Sequence, residues 1–409
     1  MDIRNFLKGG LEQVDFLKSI GLFPTPRVIN TASTKPVVSD NEGNSYLMFC
    51  SNNYLGLATN PAAIEALIDG AKKFGVGSGG SRLMSGSTTP QQELEKSLSS
   101  FFYGLGSVLF TTGYMANIGA INTMVNPKVM PGVTLNEVTE IFSDEYNHAS
   151  IIDACKLTRV KVNVYRHLDV DDLESKLSIS TAERKVIITE GIYSMDGDIA
   201  PLDKIVKLKE KYNAVLYLDD AHAIGVLGKS GRGTTEVFDL KIGRDVDCVM
   251  GTFTKAFGAI GGFVISDKNF SDLLTVCART YIFSAPIPPS VTLAIQENFN
   301  FSILHGGTLR RKLFKKLEYL YSKLDENKFT VIGDRQHIVP VLLGEESYGK
   351  KFSSLLFDSG IYLPLVQWPA APKGKSRLRV TVSPDHSLLQ IEKLIYSMIK
   401  VRNSIKIHA

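Results

Sequence analysis

No run of about 18 apolar residues occurs in these 409 residues, so the sequence offers no candidate membrane span. Cysteine is scarce. Cys50, Cys155, Cys248 and Cys277 show no paired metal-ligand spacing and sit in apolar surroundings, so no metal site is expected, and buried reduced thiols are the default. Basic tracts are lacking too: Lys and Arg (46) barely exceed Asp and Glu (42), the net charge is +4, and the cations are scattered. That argues against a nucleic-acid partner. The start, Met1-Asp2-Ile3-Arg4, has no charged-then-apolar signal pattern, and a cytoplasmic protein is expected. Internal repeats and low-complexity tracts are absent from the sequence.

What remains is ordinary enzyme composition, 44% hydrophobic and 22% charged, with length for two or three domains. Residues 3 to 22 carry Ile3, Phe6, Leu7, Leu11, Val14, Phe16, Leu17 and Ile20 at helical spacing, which predicts one or two amphipathic helices in an arm. From about residue 105, apolar runs at 107–111, 139–143, 161–165, 185–189, 214–218, 246–250 and 261–266 alternate with helical patterns. That predicts an α/β fold built on a mainly parallel sheet covered on both faces. After Pro286, Pro288 and Pro289 the pattern changes. A helix, a Lys/Arg-rich region at 308–327, strands near 337–343 and 377–382 and helices near 347–359 and 388–402 read as a smaller α+β domain. The expected division is an arm over 1–50, a large domain over 51–288 and a small domain over 289–409.

Ligands of such sheets collect beyond the carboxyl ends of the strands. Just past those ends stand Thr112-Gly113-Tyr114, Asp144 to His148, Glu190, Asp219 to His222 and Thr252 to Lys255. Polar or ionisable groups at so many successive ends argue for a single large site. Lys255 lies in Gly251-Thr252-Phe253-Thr254-Lys255, a placement suited to an amine that attacks carbonyls and has its charge suppressed by burial. Asp219 ends the apolar strand Ala214–Leu218, with His222 three residues on. A strand-end Asp and a strand-end Lys match what pyridoxal phosphate requires, an aldehyde cofactor with a ring nitrogen to keep protonated.

These stretches, with His148-Ala149-Ser150, Asp219-Asp220-Ala221-His222 and Arg377-Leu378-Arg379, resemble the α-oxoamine synthases, from about Gly21 to about Leu394. The resemblance implies the aspartate-aminotransferase-like transferase fold (type I). It also implies pyridoxal 5'-phosphate and the decarboxylating condensation of an acyl-CoA with alanine, serine or glycine, in a homodimer with shared sites. It makes Lys255, His148, Asp219 and His222 catalytic: Lys255 holds the cofactor and moves protons, Asp219 meets the ring nitrogen, His222 the phenolic oxygen, and His148 stacks on the ring. Thr112, Gly113, Tyr114, Thr252, Thr254 and Ser284 would bind the phosphate, Ser284 that of the neighbouring subunit, with Ser194 near the ring. Asn52, Arg27 and Arg379 would meet the substrate, Arg379 forking its carboxylate. Glu190 reads as a hydrogen-bonding carboxylate. The glycine-rich stretch Gly77–Leu83 is similar to 8-amino-7-oxononanoate synthases, Tyr281–Ser284 to bacterial serine palmitoyltransferases, and Pro372-Lys373-Gly374 to glycine C-acetyltransferase. The pattern departs from the family at Gln91, where many members have His, and at Gln367, where many have Arg. An aminotransferase or lyase on the same fold, or a non-catalytic regulatory subunit, remain the alternatives.

Overall fold

The computed structural model describes residues 2–20, 23, 26–130 and 136–407, without the side chains of 406 and 407. Positions 21 and 22 of the expected arm lie outside the described residues. Two short strands come first, β1 (Val37–Ser39) and β2 (Ser45–Met48). Then follow β3 (Gly106–Phe110), β4 (Thr139–Asp144), β5 (Lys161–Tyr165), β6 (Arg184–Glu190), β7 (Ala214–Asp219), β8 (Cys248–Thr252) and β9 (Gly262–Ser266). These last seven form one sheet in the order β3-β9-β8-β7-β6-β4-β5. From β8 to β5 every pairing is parallel, and β9 runs antiparallel between β3 and β8. The expected mainly parallel sheet is therefore present, with boundaries shifted by at most two residues.

Alternation along each strand assigns side chains to opposite faces. Ile187, Leu216, Leu218 and Val249 face one hydrophobic cluster, which continues through Phe263, Phe299 and Leu320 to Val380 and Met398. Val186, Ile188, Tyr217, Cys248 and Met250 face the other, packed with Ala116, Ile121 and Ile151. Both faces are apolar, which is why these strands read as near-continuous hydrophobic runs.

The later chain adds β10 (Ile338–Gly344), β11 (Ile361–Tyr362), β12 (Leu365–Val366) and β13 (Ser376–Thr381). β13 lies between β10 and β12, antiparallel to both. β2 pairs with β1 and, in parallel, with β11, so residues 37–48 share a sheet with the C-terminal part. Phe49 N–H donates to Tyr362 O and Thr381 N–H to Phe49 O, extending that union. The sequence pattern of the expected arm over 1–50 does not show this. Helices form at Ile3–Phe6 and Lys8–Ser19, but none of their residues is buried. The Lys/Arg-rich region is no separate unit: one helix of 38 residues runs from Pro289 to Glu326. The expectation of buried thiols holds for Cys155 and Cys248 only; Cys50 and Cys277 are half-buried, and all four are free.

Gln91 has a structural task. It sits at the third position of the helix Thr89–Phe101, fully buried. Its Oε1 accepts from Thr88 N–H at 2.8 Å, and its Nε2 donates to Ile287 O at 2.9 Å, just before the long helix. Gln91→Ala leaves both groups unpaired and is expected to cost about 1–3 kcal/mol. Urea unfolding checks this: an unchanged midpoint would show that the tie carries no stability.

Candidate active site

Of the side chains singled out at the strand ends, His148, Glu190 and Asp219 join one hydrogen-bonded group and His222 another. The first surrounds Asp219. Asn117 Nδ2 donates to Asp219 Oδ2 and to Ser150 Oγ, each at 2.8 Å, and Ala221 N–H donates to Asp219 Oδ1. Tyr217 OH holds Asn117 Oδ1 at 2.7 Å and so fixes the amide's orientation. His148 caps the helix Ala149–Thr158. Its Nδ1 accepts from Ser150 N–H and lies 2.7 Å from Ser150 Oγ. A backbone N–H can only donate, so Nδ1 carries no proton and Nε2 does. Burial, with Lys255 nearby, lowers the His148 pKa against the pull of Asp219. Glu190 Oε1 accepts from His148 N–H at 2.6 Å, and burial pushes its carboxyl well above the usual range.

The second group centres on Tyr54, which the sequence reading passed over. Its hydroxyl lies 2.7 Å from His222 Nδ1 and 3.0 Å from Asn52 Oδ1, and it accepts from Arg379 Nη2 at 3.1 Å. Arg379 Nη1 also donates to Asn52 Oδ1 at 2.9 Å, and Nε to Ser194 O at 2.5 Å. Asn52, Ser194, His222 and Arg379 thus come together from four parts of the chain. Burial and then Lys255 and Arg379 push the His222 pKa far down, so its ring is neutral. His337, fully buried against the Tyr54 ring at 4.5 Å, is likewise pushed down to about 3 by burial, and neither ring nitrogen has a hydrogen-bond partner among the described residues. Arg377, next but one on β13, pairs with Asp196.

Lys255 follows β8 and lies half-buried, close enough to Asp219 and Glu190 of the first group and Arg379 of the second for each to act on its charge. Burial lowers its pKa to about 8, against the pull of Asp219 and Glu190. Thr112 caps the helix Gly113–Val125 through Met115 N–H, leaving the Gly113 and Tyr114 N–H groups without intrahelical acceptors. A Cβ at Gly262 would lie 2.6 Å from Gly113 N, so only glycine lets β9 pass this turn. Thr252 Oγ lies 2.7 Å from Gly261 O and 3.1 Å from Thr254 Oγ, and its proton is committed within the turn. Thr254 is exposed. Tyr114 OH is held by Asp153, and its ring stands edge-on to His148. Ser284 lies by Met115 of the same helix. Arg27 is not brought into either group: it is exposed, with its guanidinium on the Phe357 ring. Gln367 has a buried Oε1 with no partner among the described residues, and nothing in the structure explains it.

A family model for aminotransferase class I and II matches residues 44–397. The chain is 39% identical to 8-amino-7-oxononanoate synthase of Lysinibacillus sphaericus over 391 residues, covering 95% of this chain and 96% of that one. Its fold is similar to that of Sphingomonas wittichii serine palmitoyltransferase, with a TM-score of 0.90, 29% identity and 100% of both chains covered. A serine palmitoyltransferase of S. paucimobilis, solved with bound PLP and myriocin, gives a TM-score of 0.89 at 29% identity, again over 100% of both chains.

The lowered pKa of Lys255 can be read directly. In cofactor-free protein, labelling of its amine by an amine-selective reagent is expected to have a midpoint near pH 8, where an ordinary lysine gives 10.5. Asp219→Asn should move the midpoint lower still, because the carboxylate helps the amine keep its proton. A midpoint unmoved from that of surface lysines would refute the role of burial.

Proposed function

This chain belongs to the α-oxoamine synthases within aminotransferase class I and II, and from that premise we propose that it condenses an acyl-CoA with alanine, serine or glycine. The reaction depends on pyridoxal phosphate and releases CoA, carbon dioxide and an α-amino ketone. The relatives' names favour the 8-amino-7-oxononanoate and serine palmitoyltransferase groups over a glycine C-acetyltransferase type. One observation supports the reading most. Arg379, Asn52 and Tyr54 form a polar cluster close enough to Lys255 for the guanidinium to lower the amine's pKa.

The donor set fits pyridoxal phosphate. The free N–H groups of Gly113 and Tyr114 at a helix start suit its phosphate, with Thr254 as a further donor and Ser284 as a donor toward the phosphate of the neighbouring subunit. Lys255 supplies the amine for its aldehyde, Asp219 the carboxylate for its ring nitrogen, and His222 a neutral imidazole for its phenolic oxygen. When bound, the cofactor supplies a carbonyl for the substrate amine and a sink for the electrons left at Cα.

The chain's own residues do the rest. Arg379 and Asn52 would take the amino-acid carboxylate and so fix how Cα is turned toward Lys255. Lys255 Nζ, poised near neutrality, takes the Cα proton. His148 presents Nε2–H as a donor, and Asp219, held by Asn117 and Ala221 N–H, presents a fixed acceptor. The carbon–carbon bond forms between Cα and the thioester carbon as CoA leaves. The carboxylate then departs as carbon dioxide and a proton returns to Cα.

The reading includes a cytoplasmic homodimer. Free thiols suit a reducing compartment. For the dimer, Val76 and Met84 beside the glycine-rich loop and Phe283 beside Ser284 are exposed at 90%, 85% and 71%, the apolar surface an interface would cover. Among the described residues no helix is long and apolar enough to cross a membrane.

Purified enzyme assayed for free CoA across an amino-acid by acyl-CoA grid tests the function; no release on any pair would end it. Arg379→Lys keeps the charge but loses the planar fork. It is expected to raise KM for the amino acid by about tenfold or more and to lower kcat, with acyl-CoA saturation nearly unchanged. Arg377→Lys is the comparison: it leaves the Asn52 and Tyr54 contacts of Arg379 in place and alters only the pairing with Asp196, so its effect on that KM should be the smaller. If Arg377→Lys impairs amino-acid binding and Arg379→Lys does not, the carboxylate site is misassigned. Light scattering tests the dimer, which a fully active monomer would overturn.

A further inference from the structure

We propose that His167 is a positioning residue, a doubly protonated imidazole that clamps the turn Ser194–Asp198 to the end of β4 and thereby sets Arg379. The proposal rests on Arg379 being the carboxylate site.

Hydrogen-bond accounting carries the argument. His167 Nδ1 lies 3.0 Å from Asp144 Oδ1, and Nε2 lies 3.2 Å from Asp198 Oδ2. An ionised carboxylate only accepts, and a neutral imidazole has a single N–H to give. Both bonds therefore exist together only when the ring carries two protons. Asp144 is held as an acceptor from other sides, since Tyr146 N–H donates to Oδ1 at 2.8 Å and Leu168 N–H to Oδ2 at 2.9 Å. Tyr146 stacks on the imidazole at 4.3 Å and Tyr193 meets it edge-on at 4.5 Å, so two aromatic rings and two carboxylates enclose the cation. Glu145 Oε1 accepts from His167 N–H at 2.9 Å and adds negative charge nearby. Of the neighbouring cations, Arg166 is engaged with Asp169 and Asp172, and Arg377 pairs with Asp196 of the same turn.

The clamp reaches the site through the turn it holds. Tyr193 N–H donates to Asp198 O and Gly197 N–H to Tyr193 O, so Asp198 cannot move without the turn. The turn presents Ser194 O to Arg379 Nε, and that bond orients the guanidinium whose other nitrogens reach Asn52 and Tyr54. Burial opposes the charge, but the two carboxylate bonds outweigh it and raise the His167 pKa from 6.5 to about 9. A raised folded-state pKa gives stabilisation that is complete below pH 6.5 and lost as pH rises through about 9.

The test is NMR of the holoenzyme carrying isotope-labelled histidine, with the His167 signal assigned by its loss in His167→Asn. The ring should titrate near pH 9, and Asp198→Asn should lower that value clearly. At pH 7.5, His167→Asn should raise KM for the amino acid by about tenfold and leave KM for acyl-CoA within about twofold. Its loss in melting temperature should be largest below pH 6.5 and vanish above pH 9. Titration of His167 at or below 6.5 overturns the clamp, as does an unchanged amino-acid KM in His167→Asn while Arg379→Lys raises it. If Arg379→Lys itself has no effect on that KM, the carboxylate reading fails, and the NMR titration still decides whether the clamp exists.

Discussion

The register between β6 and β7 places Glu190 beside Asp219, two buried carboxylates on adjacent strand ends. Lys255 follows the next strand over. Burying charge is expensive unless each group is paired or hydrogen-bonded. Much of the surrounding structure can be understood as meeting that demand. Asn117 and Ala221 N–H hold Asp219, and His148 N–H holds Glu190. The residual imbalance appears as an amine with a lowered pKa and a carboxyl with a raised one, the condition for moving protons near neutral pH.

The seven central strands were legible because each is a short hydrophobic run that stops at a polar residue. The groups just past those ends were legible for the same reason, and Asp144, His148, Glu190, Asp219 and Lys255 could be picked out one by one. Their partners could not. Neither spacing nor a strand end marks Tyr54 or Asn117 as a site residue. Their tasks arise only where His222 and Arg379, or Ser150 and Asp219, arrive from more than thirty residues away. The pairing of β2 with β11 escaped notice because the latter has two residues, too few for alternation to register. The helix Pro289–Glu326 was divided because its composition turns basic midway, although its period does not break.

Proton counting links the two groups around Lys255. Arg379 Nη2 occupies one lone pair of the Tyr54 hydroxyl, whose single proton goes to His222 Nδ1 or to Asn52 Oδ1. The state of His222 and the state of Asn52 are therefore not independent. His148 has no such freedom, because Ser150 N–H fixes its tautomer. One imidazole of the site is set by backbone and the other by a shared hydroxyl.

The helix Pro289–Glu326 begins where Gln91 holds Ile287 O and ends beyond Tyr321, whose hydroxyl holds Gln336 O next to His337. At 1.5 Å per residue such a helix is about 57 Å long. A rod of that length is a mechanical lever: tilting it by about 1° at the Pro289 end swings the far end by about 1 Å. Angular play too small to disturb packing near Gln91 would then be a full hydrogen-bond misfit beside His337, and what denies the rod that play is its seating along the way, by buried residues from Ser290 to Leu324 and by Arg310, which donates to Gly225 O and Lys229 O midway.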